Sequence, residues 1–250
     1  MKNNAVFRIA VFYLLAISIS NVFRFHLFGL DKLENDLPYW LLGLTAPLQA
    51  IGILTGAFLS LHLLKKTRKP KYSLFGTSVK WSLIMILIPL ILMLITGVEN
   101  PDRMNSHIFA LASGFGTLIY CYFEEIGWRG YLQDELRHLK EWQRILLIGS
   151  LWYIWHLSFL KNASLDGEII FLGILILSSW GLGKVIEMTK SVLAVTAFHL
   201  IINVTVMNSL TRSGISSAEK WIITAISIVL WILVLVRWEK FNERNATEKP

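Results

Sequence analysis

The chain has 250 residues, 54% of them hydrophobic and 16% charged, with ten Trp and a formal net charge of +7; soluble domains carry about 25% charged residues. A mean hydropathy of +0.55 excludes a disordered chain, a coiled coil and a nucleic-acid-binding arm, so no nucleic-acid partner is expected. What remains is an all-α integral membrane protein, a bundle of about eight transmembrane helices with the lipid bilayer as its main surroundings, since one span takes about 20 apolar residues.

In chain order, the apolar runs predict helices over 5–23, 39–63, 79–96, 107–132, 145–160, 168–183, 191–210 and 221–236. These runs are long and continuous, whereas a membrane β-barrel shows weak alternating segments of about ten residues. Lys2 and Arg8 precede the first run as they would in a signal peptide, but no small-residue cleavage site follows, and a retained helix is expected. Between the fourth and fifth runs, 134–144 sets Leu136, Leu139 and Trp142 opposite charges, which predicts a helix lying on the membrane interface. The chain divides into N-terminal spans over 1–106, a core over 107–210, and a last span with a polar tail over 211–250. Cys121, the single cysteine, gives no disulfide or cysteine metal site.

Lys and Arg fall unevenly between the two sets of connecting segments, 18 on the side that holds both termini and 6 on the other. Cytoplasmic segments of membrane proteins are enriched in these residues, so both termini are expected in the cytoplasm, with the protein in the cell membrane. The cluster from Lys65 to Lys71 adds attraction to anionic lipid.

A charge at a helix centre in hydrocarbon costs about 2.5–3.5 kcal/mol on insertion scales. Three runs carry such residues: Tyr122-Phe123-Glu124-Glu125-Ile126-Gly127-Trp128-Arg129-Gly130, Trp152-Tyr153-Ile154-Trp155-His156, and Phe198-His199-Leu200-Ile201-Ile202-Asn203. Neighbours on a helix are about 100° apart, so Glu124 and Glu125 point differently. Glu125 and Arg129, four apart with the acid first, suit an ion pair. Glu124 has Gly127 and Trp128 at the corresponding positions, so its partner must come from another helix, and it suits a general base. At about 1.5 Å of rise per residue, Glu124, His156, His199 and Asn203 fall within one layer of the cytoplasmic half. His199 and Asn203 share a face and could grip a water, a metal or a developing oxyanion.

The blander readings are that Trp128, Trp152 and Trp155 are packing residues and that His26, His62 and His107 are solvated or interfacial. The Thr205 hydroxyl is expected to bond back to its own helix, and Asn208 receives no role. Glu135-x-x-His138 has metal-site spacing but lacks a second copy and lies on the expected surface helix. Asn162-Ala163-Ser164 and Asn203-Val204-Thr205 fit the glycosylation pattern, the second in mid-membrane. No His-Glu-x-x-His or Gly-x-Ser-x-Gly occurs.

Glu124, Glu125 and Arg129, followed by an aromatic-x-x-x-His ending at His156 and by His199-x-x-x-Asn203, resemble the CAAX-protease and bacteriocin-processing family. These are intramembrane endopeptidases, also known as the type II CAAX prenyl endopeptidase or Abi family. The resemblance covers about residues 107–210. It implies a bundle whose polar cavity opens to the cytoplasmic side, with a peptide or membrane-associated protein as substrate. Glu124 and His156 would activate water, His199 and Asn203 would form the oxyanion hole, and Glu125 with Arg129 would support the cavity. Prenylated proteins, bacteriocin-type peptides and self-immunity are the roles it brings. The family usually has Phe where Trp152 stands, and the larger indole would narrow the cavity. Proteins of this likeness are commonly labelled metalloproteases: Glu124, His156 and His199 could supply the three ligands of a catalytic zinc, and a glutamate can also activate water with no metal. The sequence leaves both open, with the balance towards no tightly held metal. The alternative to an enzyme is a transporter or a peptide-binding immunity factor using the same cavity; the lack of repeats and of paired broken helices speaks against it.

Overall fold

The computed structural model describes residues 5–30, 32, 37–38, 41, 45–64, 69–160 and 164–247. Backbone amides in hydrocarbon find partners only within their own helix, and each predicted run is mainly helical where described, the run over 145–160 breaking at the left-handed Leu157 and that over 191–210 at the extended Asn208. The helices are α1 Ala5–Arg24, α2 Ile51–His62, α3 Val79–Thr96, α4 Ser106–Glu125, α5 Glu141–His156, α6 Leu165–Thr189, α7 Val192–Ile202 and α8 Ser217–Thr247. Two are prolonged by π-helix: α4 by Ile126–Leu132, and α7 by Asn203–Met207. Side-chain caps start several of them, with Ser78 accepting from Trp81 N, Ser164 from Gly167 N and Ser191 from Ala194 N.

The protein is a multi-pass helical membrane bundle, but the eight helices named among the described residues are unequal. Among the described residues, five segments are long and apolar enough to cross a membrane: Ala5–Arg24, Val79–Thr96, Ser106–Glu135, Leu165–Thr189 and Ser217–Arg244. Ala46–His62 and Val192–Met207 are shorter apolar helices, and α5 has only 16 residues. The start of the second predicted run, residues 39–40 and 42–44, lies outside the described residues, as do 65–68 of the basic cluster and Asn162-Ala163.

Two apolar cores hold the bundle. One joins Phe12 of α1, Ile53 of α2, Trp128 and Tyr131 of the π segment after α4, and Trp152 and Trp155 of α5. The other joins Met85 and Met93 of α3, Phe109 of α4, Leu200 of α7, and Trp231 and Trp238 of α8. The first helix is built into this packing: Phe12 and Ala16 are fully buried, and Trp155 Nε1 donates to Ala16 O at 3.1 Å.

The interfacial helix expected over 134–144 does not form. Helix ends at Glu135, Leu136 caps it, and a turn closed by Leu139 N to Leu136 O leads to the start of α5 at Glu141. The polar groups explain the break. Asp134 accepts from Arg137 Nη1 at 3.2 Å and from Lys71 N at 3.4 Å, and Glu135 holds Arg8 of α1 at 2.6 Å. Glu135 is therefore a buried anchor between α1 and α4, where a surface position was expected, while His138 Nδ1 sits on the Glu135 carbonyl at 3.2 Å.

One end of the bundle gathers the start of α1, the turn after α4, the connection between α6 and α7, and the end of α8. There Ser73 bridges Ser191, and Trp238 Nε1 donates to Thr77 Oγ1 at 2.7 Å. At the opposite end the α3–α4 connection meets the segment before α8, through Glu99 N to Gly214 O at 2.9 Å.

Close helix approach depends on Gly127, where an added Cβ would stand 2.1 Å from Ile53 Cγ2 and 3.0 Å from Phe12 Cε2. Overpacking of this kind costs about 1–3 kcal/mol. Gly127→Ala is expected to lower the thermal midpoint of the detergent-solubilised protein. Gly173→Ala, where a Cβ meets nothing within 4 Å, should leave it unchanged or raise it slightly.

Candidate active site

The π segments begin at the motif residues. α4 changes register directly after Glu124-Glu125, and α7 does so at Asn203; such π turns recur at functional sites, where the altered pitch re-aims side chains. Between α4, α5, α6 and α7 lies a cavity of about 710 Å³, within the usual range for ligand sites. Glu124, Trp152 and His199, the most buried of its motif residues, are taken as its floor, and His156 and Asn203 line it as well. The layer inferred from helical rise thus corresponds to one continuous cavity.

Glu124 is 1% exposed. Its Oε2 accepts from Trp152 Nε1 of α5 at 2.7 Å, the interhelical partner that its local sequence lacks. Oε1 has no hydrogen-bond partner among the described residues. Glu125, fully buried, points elsewhere: Oε1 receives Arg129 Nη1 at 3.2 Å and lies 2.8 Å from His199 Nδ1 of α7. The expected Glu125–Arg129 pair is present, and the same oxygen also fixes one edge of a cavity imidazole. Nε2 is the His199 nitrogen that Glu125 leaves unengaged.

His156 ends α5, and its Nδ1 lies 2.8 Å from Trp152 O. A carbonyl only accepts, so Nδ1 carries a proton there and Nε2 of the neutral ring keeps its lone pair. The ring packs edge-on against Trp155 and Phe171. Asn203 Nδ2 donates to His199 O at 3.4 Å, which holds one amide hydrogen within α7. Thr205 bonds back to Ile201 O at 2.7 Å, as expected, while Asn208 reaches Thr117 Oγ1 at 2.9 Å on the cavity wall.

Sequence reasoning misses three contributors. Trp152 is more than packing: besides its bond to Glu124, its ring lies 4.2 Å from Arg129 Cζ and edge-on to His199 at 5.3 Å. The Phe usual at this position in the family could do the second and third but has no N–H for the first. Arg24 stands at the rim, its guanidinium 3.9 Å over Trp155 and Nη1 bonded to Trp155 O at 2.5 Å. Glu168, also at the rim, accepts from Tyr153 and Ser158 hydroxyls at 2.7 Å each. An arginine and a glutamate adjoining apolar runs carried a signal, but one indistinguishable from ordinary span-end charges.

The cavity lining extends to Arg24, His26, Gln49, Ser158, Glu168 and Asn208, at or beyond the ends of α1, α5 and α7 and near the starts of α2 and α6, and these residues are taken as its rim. That is the bundle end opposite Ala5 and Thr247. Depths counted along single helices from the basic end place the layer but not the direction in which it opens.

Among the described residues no group of three or more His, Cys, Asp and Glu is placed to share an ion.

Residues 105–205 match the family model described as type II CAAX prenyl endopeptidase Rce1-like. CAAX prenyl protease 2 of Methanococcus maripaludis is 27% identical over 143 residues, which is 48% of this chain. The match spans about half of that relative, 53% of its length.

Trp152→Phe keeps a ring beside Arg129 and His199 but removes the donor to Glu124. A hydrogen bond to a charged group is worth about 1.5–3 kcal/mol, so the variant should melt lower than wild type, and any turnover should fall in kcat with KM little changed. Removing one partner of a buried ion pair costs about 3–5 kcal/mol. Glu125→Gln is accordingly expected to reduce yield and thermal midpoint together with activity; unchanged stability with lost activity would place Glu125 in the chemistry itself.

Proposed function

We propose that this chain, whose residues 105–205 match the family model described as type II CAAX prenyl endopeptidase Rce1-like, is an intramembrane endopeptidase. The observation that carries this reading is Glu124: a buried carboxylate with Tyr120 beside it, one oxygen held by Trp152 and the other making no hydrogen bond among the described residues, lining a cavity shared with His156, His199 and Asn203.

In this mechanism the substrate peptide lies along the cavity with its scissile carbonyl above Glu124. Glu124 Oε1, assisted by the lone pair of His156 Nε2, takes a proton from water as the oxygen attacks the carbonyl carbon. Negative charge moves to the carbonyl oxygen, where the second Asn203 amide hydrogen stabilises it together with Nε2–H of His199, a ring that does this only when protonated on both nitrogens, its Nδ1–H being against the Glu125 carboxylate. Glu124 then passes its proton to the leaving nitrogen, the C–N bond breaks, and a carboxylate and an amine depart. The two carboxylates play separate parts, Glu124 moving the proton while Glu125 and Arg129 hold His199 in place. The division follows from their roughly 100° separation on the helix. The low-polarity surroundings strengthen each of these contacts relative to water.

General acid–base groups contribute about 10²–10⁴-fold to rate. Glu124→Gln preserves shape and removes the base, and should lower cleavage of a peptide substrate by that factor while the protein still inserts, folds and binds the peptide. Mass spectrometry of peptide incubated with purified protein provides the readout. Near wild-type cleavage by the variant would sink this mechanism; binding without cleavage by the wild type would favour the non-enzymatic alternative.

A further inference from the structure

We infer that the cavity opens to the extracytoplasmic side of the membrane, and that its substrate is a peptide with an apolar stretch presented from that side. The substrate part rests on the proteolytic reading above; the sidedness rests on charge and topology alone.

Two independent observations meet here. The first is where the cavity leads: from its floor at Glu124, Trp152 and His199 to a rim at the end where α1 and α5 finish and α6 begins. The second is where positive charge resides. Of the 24 Lys and Arg, only Arg24, Lys32, Arg103, Lys161, Arg212 and Lys220 belong by sequence to segments at the rim end. Arg24 is further occupied by Trp155 and Asn21. Arg129 is buried at the site, and the remaining 17 belong by sequence to segments at the opposite end. A bias of this size in short connecting segments orients a membrane protein with its basic end in the cytoplasm. The basic end is also cross-tied, by Arg144 to Glu187 at 2.5 Å, Lys184 to Glu141 at 2.7 Å and Arg8 to Glu135 at 2.6 Å, so none of its helices can be inverted alone.

The wall of the cavity indicates the chemistry of the occupant. Phe171, Ile174 and Leu175 of α6 face Ile202 and Met207 of the α7 segment, and Ile174 and Met207 are 49% and 47% exposed. This apolar wall runs out to the lipid-facing surface, while the rim above carries Gln49, Ser158 and Glu168. A peptide with an apolar stretch in the outer half of the bilayer and a polar end beyond it satisfies both. A soluble polar peptide would leave the wall uncovered, and a cytoplasmic carboxy-terminal tail would approach the closed end.

The test uses single cysteines in a Cys121→Ser background: Gln49→Cys at the rim, Ala218→Cys beyond it, and Glu239→Cys at the basic end. A membrane-impermeant sulfonated maleimide applied to intact cells should label the first two, and the third only after permeabilisation. Labelling of Glu239→Cys in intact cells, with or without the others, overturns the sidedness. Cleavage of an apolar peptide added outside is then compared in sealed right-side-out and inside-out vesicles, with Glu124→Gln as control. Wild type in right-side-out vesicles should be at least about tenfold faster. Faster cleavage in inside-out vesicles overturns the substrate assignment. Expected labelling with no cleavage in either vesicle overturns the proteolytic reading and leaves the sidedness standing.

Discussion

Three buried charges lie within two turns of one helix, and the arrangement around them is what the bundle must preserve. Glu125 sits between Arg129 of its own helix and His199 of α7, while Trp152 of α5 donates to Glu124 and covers Arg129. An ionised group in an apolar interior is tolerated only when each partner is in place, so α4, α5 and α7 are tied at one point. The two apolar cores meet around this knot, and the close approaches at Gly127, Phe12 and Ile53 bring the helices near enough for it to close.

Two adjacent glutamates serve different ends because a helix cannot point neighbours the same way. Glu125 faces inward to Arg129 and His199, and Glu124 faces the cavity. The π segment that follows them keeps Trp128, Arg129 and Tyr131 buried against α1, α2 and α5. A second π segment starting at Asn203 does the corresponding work in α7, carrying the chain from His199 to Asn208 along the cavity wall.

Much of this is written in spacing. Long apolar runs specify helices because hydrocarbon offers the backbone no other partner, and an acid four residues before an arginine specifies their pair. That Glu124 needs a partner from elsewhere also follows from its neighbours. Local pattern failed where distant groups competed for the same side chains. The 134–144 stretch has helical periodicity, yet Arg8 claims Glu135 and Lys71 claims Asp134, and the chain turns at Leu136 instead. Trp152 looked like a packing residue because nothing in sequence shows which acid its indole N–H will meet.

Composition and order were enough to decide that the chain lies in a membrane and that it is helical, and to single out two acids, an arginine, two histidines and an asparagine within apolar runs; each of these depends on hydrophobicity or on neighbours within a helical turn. Only the tertiary fold decided that Glu125 holds His199, that Trp152 serves Glu124, and that the cavity's rim lies at the end away from the basic segments. Those features depend on which helices pack side by side and how far each extends, and no periodicity along one segment contains that information.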